Sequence, residues 1–235
     1  LNRNVDVITL REPDSLEELK SMGVDRPEIK LTADPALTLA PAAEEKTDSV
    51  LLRAGIPPRG ERLICFALRP WPGFSEKAPL FGAAARYAWE RYGLTPVFTA
   101  VEKGQDPAAA REAAECLGDT PHYFLDDAGA AGTIIGALSR MEAVVSMRLH
   151  ALIFAAGQGI PLAGVVYDPK VSSFLRYIGQ ENFTDLEDLT QETLNAMIDR
   201  ASAQAGDKEA QAVAVRKLRE LEQGNVEIAK RLLER

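Results

Sequence analysis

Glu142-Ala-Val-Val-Ser146-Met-Arg148-Leu-His150-Ala-Leu-Ile-Phe-Ala-Ala-Gly157, then Gly159-Ile-Pro161, then Leu162-Ala-Gly-Val-Val-Tyr167-Asp-Pro-Lys170-Val171, packs two strands and two helix starts into one short stretch. The apolar run Ala143–Ser146 is too short for a helix and reads as a buried strand. Leu149–Gly157 reads as a helix, Leu162–Tyr167 as a second strand, and Val171–Ile178 as another short helix. Strand, helix, strand, helix is the pattern of βαβ units, in which a helix crosses between parallel strands.

The same alternation extends upstream to Glu61. Strands are expected at Arg62–Leu68, Pro96–Val101 and His122–Leu125. Between them lie helices near Lys77–Tyr92, closed by Gly93, at Pro107–Leu117, where proline suits the first turn, and at Ala130–Arg140. The expected fold class is therefore α/β: a Rossmann-like parallel sheet with helices on both faces. Downstream, Leu194, Met197, Ile198 and Ala201 repeat at helical spacing, as do Leu218, Leu221, Ala229 and Leu232 in a charged segment. The main domain is expected over residues 61–205, with a final helix at 206–235 crossing back. Residues 41–60 hold three prolines and no sustained periodicity, and read as a linker. Val5–Leu10 reads as a strand with nothing before it to pair with, so residues 1–40 are expected to be the tail of a truncated N-terminal domain.

Composition sets outer bounds. The chain has 235 residues, 46% of them hydrophobic and 26% charged, which suits a folded globular protein. A formal charge of −8 argues against nucleic acid as a partner, because phosphate neutralisation needs a basic face. Any anionic ligand must be met by a few local cations. Cys65 and Cys116 lack metal-type spacing and are expected to be inert thiols in a reducing, cytoplasmic compartment. No run approaches the length of a spanning helix, which leaves peripheral contact with a membrane surface open.

Arg148 and His150 fall where one strand ends and a helix begins, and Lys170 falls at the same kind of junction one unit later. In open α/β sheets ligands sit outside the carboxyl ends of strands, where helix N-termini offer free N–H groups and partial positive charge. Arg, His and Lys at two such junctions suit a phosphate or carboxylate. The competing view is that the arginine and lysine are solvated and the histidine bonds a backbone carbonyl; placement alone leaves the two in balance.

Met147-Arg148-Leu149-His150-Ala151-Leu152-Ile153, Gly159-Ile160-Pro161 and Tyr167-Asp168-Pro169-Lys170-Val171 together closely resemble the signature of the polysaccharide pyruvyl transferase family, CsaB type. Leu68-Arg69-Pro70-Trp71 resembles the family's Arg-Pro-Trp. Leu10-Arg11 with Ser15 and Leu19 resembles its Arg-Asp-x-x-Ser stretch, with Glu12 in place of Asp. Ser146 stands where glycine is common.

The resemblance implies the second Rossmann-like domain of a GT-B-type enzyme. It implies transfer of the pyruvyl unit of phosphoenolpyruvate onto two hydroxyls of a sugar as a cyclic ketal, with release of phosphate. The implied acceptor is a lipid-linked or polymeric saccharide, with β-N-acetylmannosamine ketalated at its 4- and 6-hydroxyls in a bacterial cell-wall polysaccharide of the kind that anchors S-layers. On this reading Arg148 grips an anion with two nitrogens, Lys170 meets the leaving phosphate, and His150 holds a phosphate oxygen or carries a proton as the candidate catalytic residue. Arg69 is expected as a further substrate contact. No cofactor and no metal are expected, phosphoenolpyruvate being the donor substrate.

Lesser candidates have ordinary explanations. Asp106 before Pro107 reads as a helix cap, Asp168 as a turn residue, Tyr167 and Trp71 as packing aromatics, and His122 as a partnerless strand start. Asp126 and Asp127 lack a third ligand at useful spacing. Two other functions fit the same residues: a nucleotide-sugar glycosyltransferase or epimerase of GT-B architecture, and a non-catalytic sugar-binding module.

Overall fold

The computed structural model describes residues 2–234. Its centre is a six-stranded parallel sheet in the order β5-β4-β3-β6-β7-β8. The strands are β3 (Leu63–Ala67), β4 (Thr95–Thr99), β5 (Tyr123–Leu125), β6 (Ala143–Ser146), β7 (Leu162–Val166) and β8 (Phe183–Asp185). Chain order runs outward from β3 to one edge, then returns to β6 and runs to the other. The switch point therefore lies between β3 and β6, the place where sheets of this kind bind ligands outside the carboxyl ends of their strands.

Every residue of β3, β4, β6 and β7 is buried, and successive side chains alternate between two cores. Leu63, Cys65 and Ala67 face a core shared with α2 (Glu44–Arg53), α5 (Ala131–Leu138), α6 (Leu149–Gly157) and α7 (Pro169–Tyr177). Ile64, Phe66 and Leu68 face a second core with α3 (Phe74–Tyr92), α4 (Asp106–Ala114) and α8 (Gln191–Gln204). Burial pushes the Cys65 thiol up to about 12, with only partial opposition from the neighbouring Thr99 hydroxyl. That thiol is chemically quiet, as the sequence suggests.

A small parallel sheet of β1 (Val7–Leu10) and β2 (Glu28–Leu31), joined by α1 (Asp14–Ser21), stands beside the main one. The long helix α9 (Lys208–Leu233) runs back to it: Thr32 Oγ1 donates to Asn225 at 2.9 Å, and Arg231 pairs with Glu28 at 2.7 Å. Glu12 ties the same region to α7, accepting from the Ser15 backbone N–H at 3.0 Å and from Ser173 Oγ at 3.2 Å.

Strand β6 and helix α6 fall where the sequence places them. The stretch 41–60 departs from its reading as a linker, because residues 44–53 form α2. Thr47, Val50 and Leu51, at helical spacing, are buried there. The helix sits so close to α5 that a Cβ on Gly136 would meet Thr47 Oγ1 at 2.2 Å. Strand β8 was not expected at all; three residues at a sheet edge give too short a pattern to read.

Helix α6 is seated in the same way. A Cβ on Gly157 would lie 2.6 Å from the carbonyl oxygen of Leu37, in the one-turn 3-10 helix Pro35–Thr38. Backbone cannot yield as a flexible side chain would. Gly157→Ala is therefore expected to destabilise the fold by about 1–3 kcal/mol, read as a lower urea midpoint. An unchanged midpoint would mean that this turn does not rest on α6.

Candidate functional site

At the carboxyl edge of the sheet, Arg69 follows β3 and Arg148 follows β6, so the two arginines flank the switch point. The strand ends are stitched together beneath them. Met147 N–H donates to the Ala67 carbonyl at 3.0 Å. The fully buried Ser146 hydroxyl lies 3.2 Å from that carbonyl and accepts from Arg148 N–H at 2.9 Å. Ser146 thus acts as a clamp between β3 and α6.

Each arginine leans across a neighbouring strand end, in opposite directions. Arg148 reaches toward β4. Its Nε donates to both oxygens of Asp106, at 2.9 and 3.0 Å, and its Nη2 donates to Oδ1. The Asp106 side chain is only 1% exposed and that of Arg148 15%. Asp106 Oδ2 also accepts from the N–H groups of Val101 and Glu102, at 3.0 and 2.9 Å. Asp106 is thus the buried counter-ion of Arg148, and the residue capping α4 is Gln105, whose side chain makes no cap bond.

Arg69 reaches instead toward β7. Its Nη1 donates to Tyr167 Oη at 2.7 Å, and its guanidinium carbon lies 4.6 Å from the Tyr167 ring centre and 4.9 Å from that of Trp71. The two rings lie 4.6 Å apart. Arg69 Nε is buried and has no hydrogen-bond partner among the described residues.

Lys170 sits at the start of α7 with Asp168, whose carboxylate caps the helix by accepting Lys170 N–H at 3.0 Å and receives the Lys170 ammonium at 3.1 Å. Burial alone would raise the Asp168 carboxyl. The Lys170 backbone and ammonium, with the charge of Arg69, outweigh it and hold the group below its ordinary value of 3.8. His150 is exposed on the first turn of α6, its ring 6.0 Å from that of Phe154.

The structure thus gathers Arg69, Tyr167, Asp168 and Lys170 on one side of the switch point and Arg148 with Asp106 on the other. Among the described residues no hydrogen bond or ion pair joins Arg148 or His150 to Lys170. The N-terminus of α6, which no side chain caps, lies between the groups and offers N–H donors with partial positive charge. The remaining candidates are answered locally. Asp126 pairs with Arg111 at 2.6 Å, Asp127 lies 3.6 Å from Lys103, and His122 Nδ1 lies 2.8 Å from the Thr120 carbonyl.

A doubly wound parallel sheet with cations and an uncapped helix N-terminus at its switch point is a Rossmann-like α/β domain. A model of the polysaccharide pyruvyl transferase family matches residues 1–169, and the chain belongs to that family. No curated protein matches it in sequence. In structure it is similar to a glycosyltransferase from Rickettsia africae ESF-5, with a TM-score of 0.60 and 15% identity, over 97% of this chain and 64% of that one. It is also similar to a Methanocaldococcus jannaschii UDP-GlcNAc 2-epimerase in complex with UDP-GlcNAc and UDP: TM-score 0.59, 11% identity, 84% of this chain and 54% of that one. A third is an α,α-trehalose-phosphate synthase (UDP-forming) from Burkholderia vietnamiensis: TM-score 0.57, 12% identity, 96% of this chain and 60% of that one. The chain thus spans between 54% and 64% of the length of these neighbours, and at such identities the likeness is one of fold.

The depressed Asp168 carboxyl has a consequence for stability. A carboxylate whose folded pKa lies below its unfolded value contributes stability that is present above the unfolded value and is lost as pH falls through the folded one. The melting temperature of the wild type is expected to exceed that of Asp168→Asn above about pH 5, with the gap closing below about pH 4. A gap that is constant with pH would show that the ionised cap contributes nothing.

Proposed function

We propose that this chain belongs to a ketal-forming pyruvyl transferase and that phosphoenolpyruvate binds at the switch point, over the N-terminus of α6. The observation that carries the reading is the pair of arginines at the two strand ends of the switch point, each fixed by its own partner. Among the described residues Arg148 keeps Nη1, and Arg69 keeps Nη2, free of a hydrogen-bond partner. A small ligand with a phosphate and a carboxylate supplies acceptors for both, and the first-turn N–H groups of α6 add a third contact. On this reading His150, exposed on that same turn, holds a phosphate oxygen or passes a proton. Lys170 stands one strand further and draws the phosphate as a point charge.

The chemistry asked of the site balances simply. A proton added to C3 of the enol makes C2 electrophilic, and one sugar hydroxyl forms a C–O bond there. Phosphate leaves with the electrons of its bond to C2, and the second hydroxyl closes the ring. Of the two hydroxyl protons, one balances the new methyl group and the other departs with phosphate. The acceptor is taken to be a saccharide on which two hydroxyls meet one carbon, as the 4- and 6-hydroxyls of β-N-acetylmannosamine do. Nucleotide-sugar chemistry remains the rival suggested by fold. Thermal stabilisation by phosphoenolpyruvate, and none by a uridine diphosphate, is the outcome that separates the two.

Calorimetric titration of phosphoenolpyruvate is expected to show at least about tenfold weaker binding for Arg148→Lys, which keeps the charge but loses both the fork on Asp106 and the Nη1 that the fork aims, and for Lys170→Ala, since bonds to charged groups contribute about 1.5–3 kcal/mol. Wild-type affinity in either variant would remove that residue from the site. His150 is tested by pH. If it meets the phosphate as a cation, wild-type affinity should weaken relative to His150→Gln between about pH 6 and 8, a comparison in which the phosphate's own titration cancels. If it serves as a proton carrier, affinity stays level and turnover falls a hundredfold or so. Unchanged binding and turnover would leave the histidine without a role.

A further inference from the structure

An opening lies beyond Arg69, between β3, β7 and β8, as a cleft of about 320 Å³. Trp71 and Tyr167 form one wall and the loop after β8 the other. Asp185 ends β8 and the loop carries Glu187 and Asp188, which with Asp168 make four carboxylate residues in the lining of the cleft, while none of the lining residues is a lysine or arginine. Lys170 answers Asp168 at 3.1 Å. Asp185, Glu187 and Asp188 have no ion-pair partner among the described residues.

The wall is held in place. Leu186 and Leu189 are buried, and Leu186 N–H donates to the Val166 carbonyl at 2.7 Å. From α3 the Lys77 ammonium donates to the carbonyls of Glu187 and Leu189, at 2.8 and 2.9 Å. Opposite, Trp71 is 37% exposed, with its ring fixed against Tyr167 and Arg69. The cleft therefore combines an aromatic surface with a row of hydrogen-bond acceptors. This combination fits a ligand rich in hydroxyl donors and without negative charge, and it repels anions.

From this we infer that the cleft is the acceptor subsite, and that it admits an uncharged sugar and disfavours an anionic one, the ketal product included. The inference rests on the pyruvyl-transfer reading, because that reaction converts a neutral sugar into one bearing the pyruvyl carboxylate. The sugar exchanges two hydroxyl hydrogens for one carbon bearing a methyl and a carboxylate, and so gains one negative charge. Asp185, Glu187 and Asp188 then act as specificity residues. They receive the hydroxyls of the incoming sugar and hasten departure of the ketal, while the donor lies toward the arginines, where the charge is of opposite sign.

The test compares the methyl glycoside of β-N-acetylmannosamine with its 4,6-pyruvyl ketal, each titrated into the chain and followed by NMR through the Trp71 indole signal. The neutral glycoside is expected to bind about tenfold more tightly at low salt, with the gap narrowing as salt screens the wall. The exposed double variant Glu187→Gln/Asp188→Asn should narrow it too, chiefly by improved binding of the ketal. Equal or tighter binding of the ketal by the wild type, or no shift of the Trp71 signal with either sugar, would overturn the proposal. Phosphoenolpyruvate titration of the same samples keeps the two ideas apart: its failure counts against the pyruvyl reading, whereas the charge preference is read from the sugars alone.

Discussion

The ion pair between Arg148 and Asp106 is the constraint on which the carboxyl edge of the sheet depends. Its carboxylate is 1% exposed and is met by two backbone N–H groups as well as by the guanidinium. Removing one partner of such a pair leaves an uncompensated buried charge, at a cost of about 3–5 kcal/mol. The pair crosses the end of β3, so it fixes the loop after β4 relative to the start of α6. Because two of the three guanidinium nitrogens are spoken for, the direction of the third is set before any ligand arrives. An arginine so held gives up little side-chain entropy on binding an anion, which is the gain of preorganisation.

Arg69 completes the arrangement from the other side. Flanked by Trp71 and Tyr167 and bonded to the tyrosine hydroxyl, it separates the cationic switch point from the acidic cleft. Charge therefore changes sign over the width of one or two strands. A transferase joining an anion to a neutral polyol has use for such a gradient, since each substrate is drawn to its own side and the reacting atoms meet at the border. The edge strand β8 makes the gradient possible by ending on Asp185 and leading into the loop of Glu187 and Asp188.

Much of the fold was legible in sequence, and the reason is local. Ala143–Ser146 and Leu149–Gly157 are short apolar runs separated by Met-Arg, and their burial on both sides leaves no ambiguity of face. Helix α2 was obscured because the prolines around it suggest a loop, while its buried stripe of Thr47, Val50 and Leu51 is too narrow to stand out. The site was legible in part. Arg148, His150, Lys170 and Arg69 could be placed at strand ends from spacing alone. The partners that hold them could not. Asp106 lies 42 residues from Arg148 and beside a proline that offers it a simpler explanation. Asp185 ends, and Glu187 and Asp188 follow, a strand too short to be read, so nothing in their spacing pointed to a wall.

Phosphoenolpyruvate affinity measured by calorimetry in the wild type and in Asp106→Asn tests the central claim most directly, because two physical effects pull in opposite directions. Substituting the amide removes a negative charge close to the anion, which by itself would tighten binding. It also loosens the fork that aims Arg148, which would weaken it. The ion pair as described predicts measurable binding to the wild type and a loss of about tenfold in the variant. Tighter binding to Asp106→Asn, or none to the wild type, would contradict it.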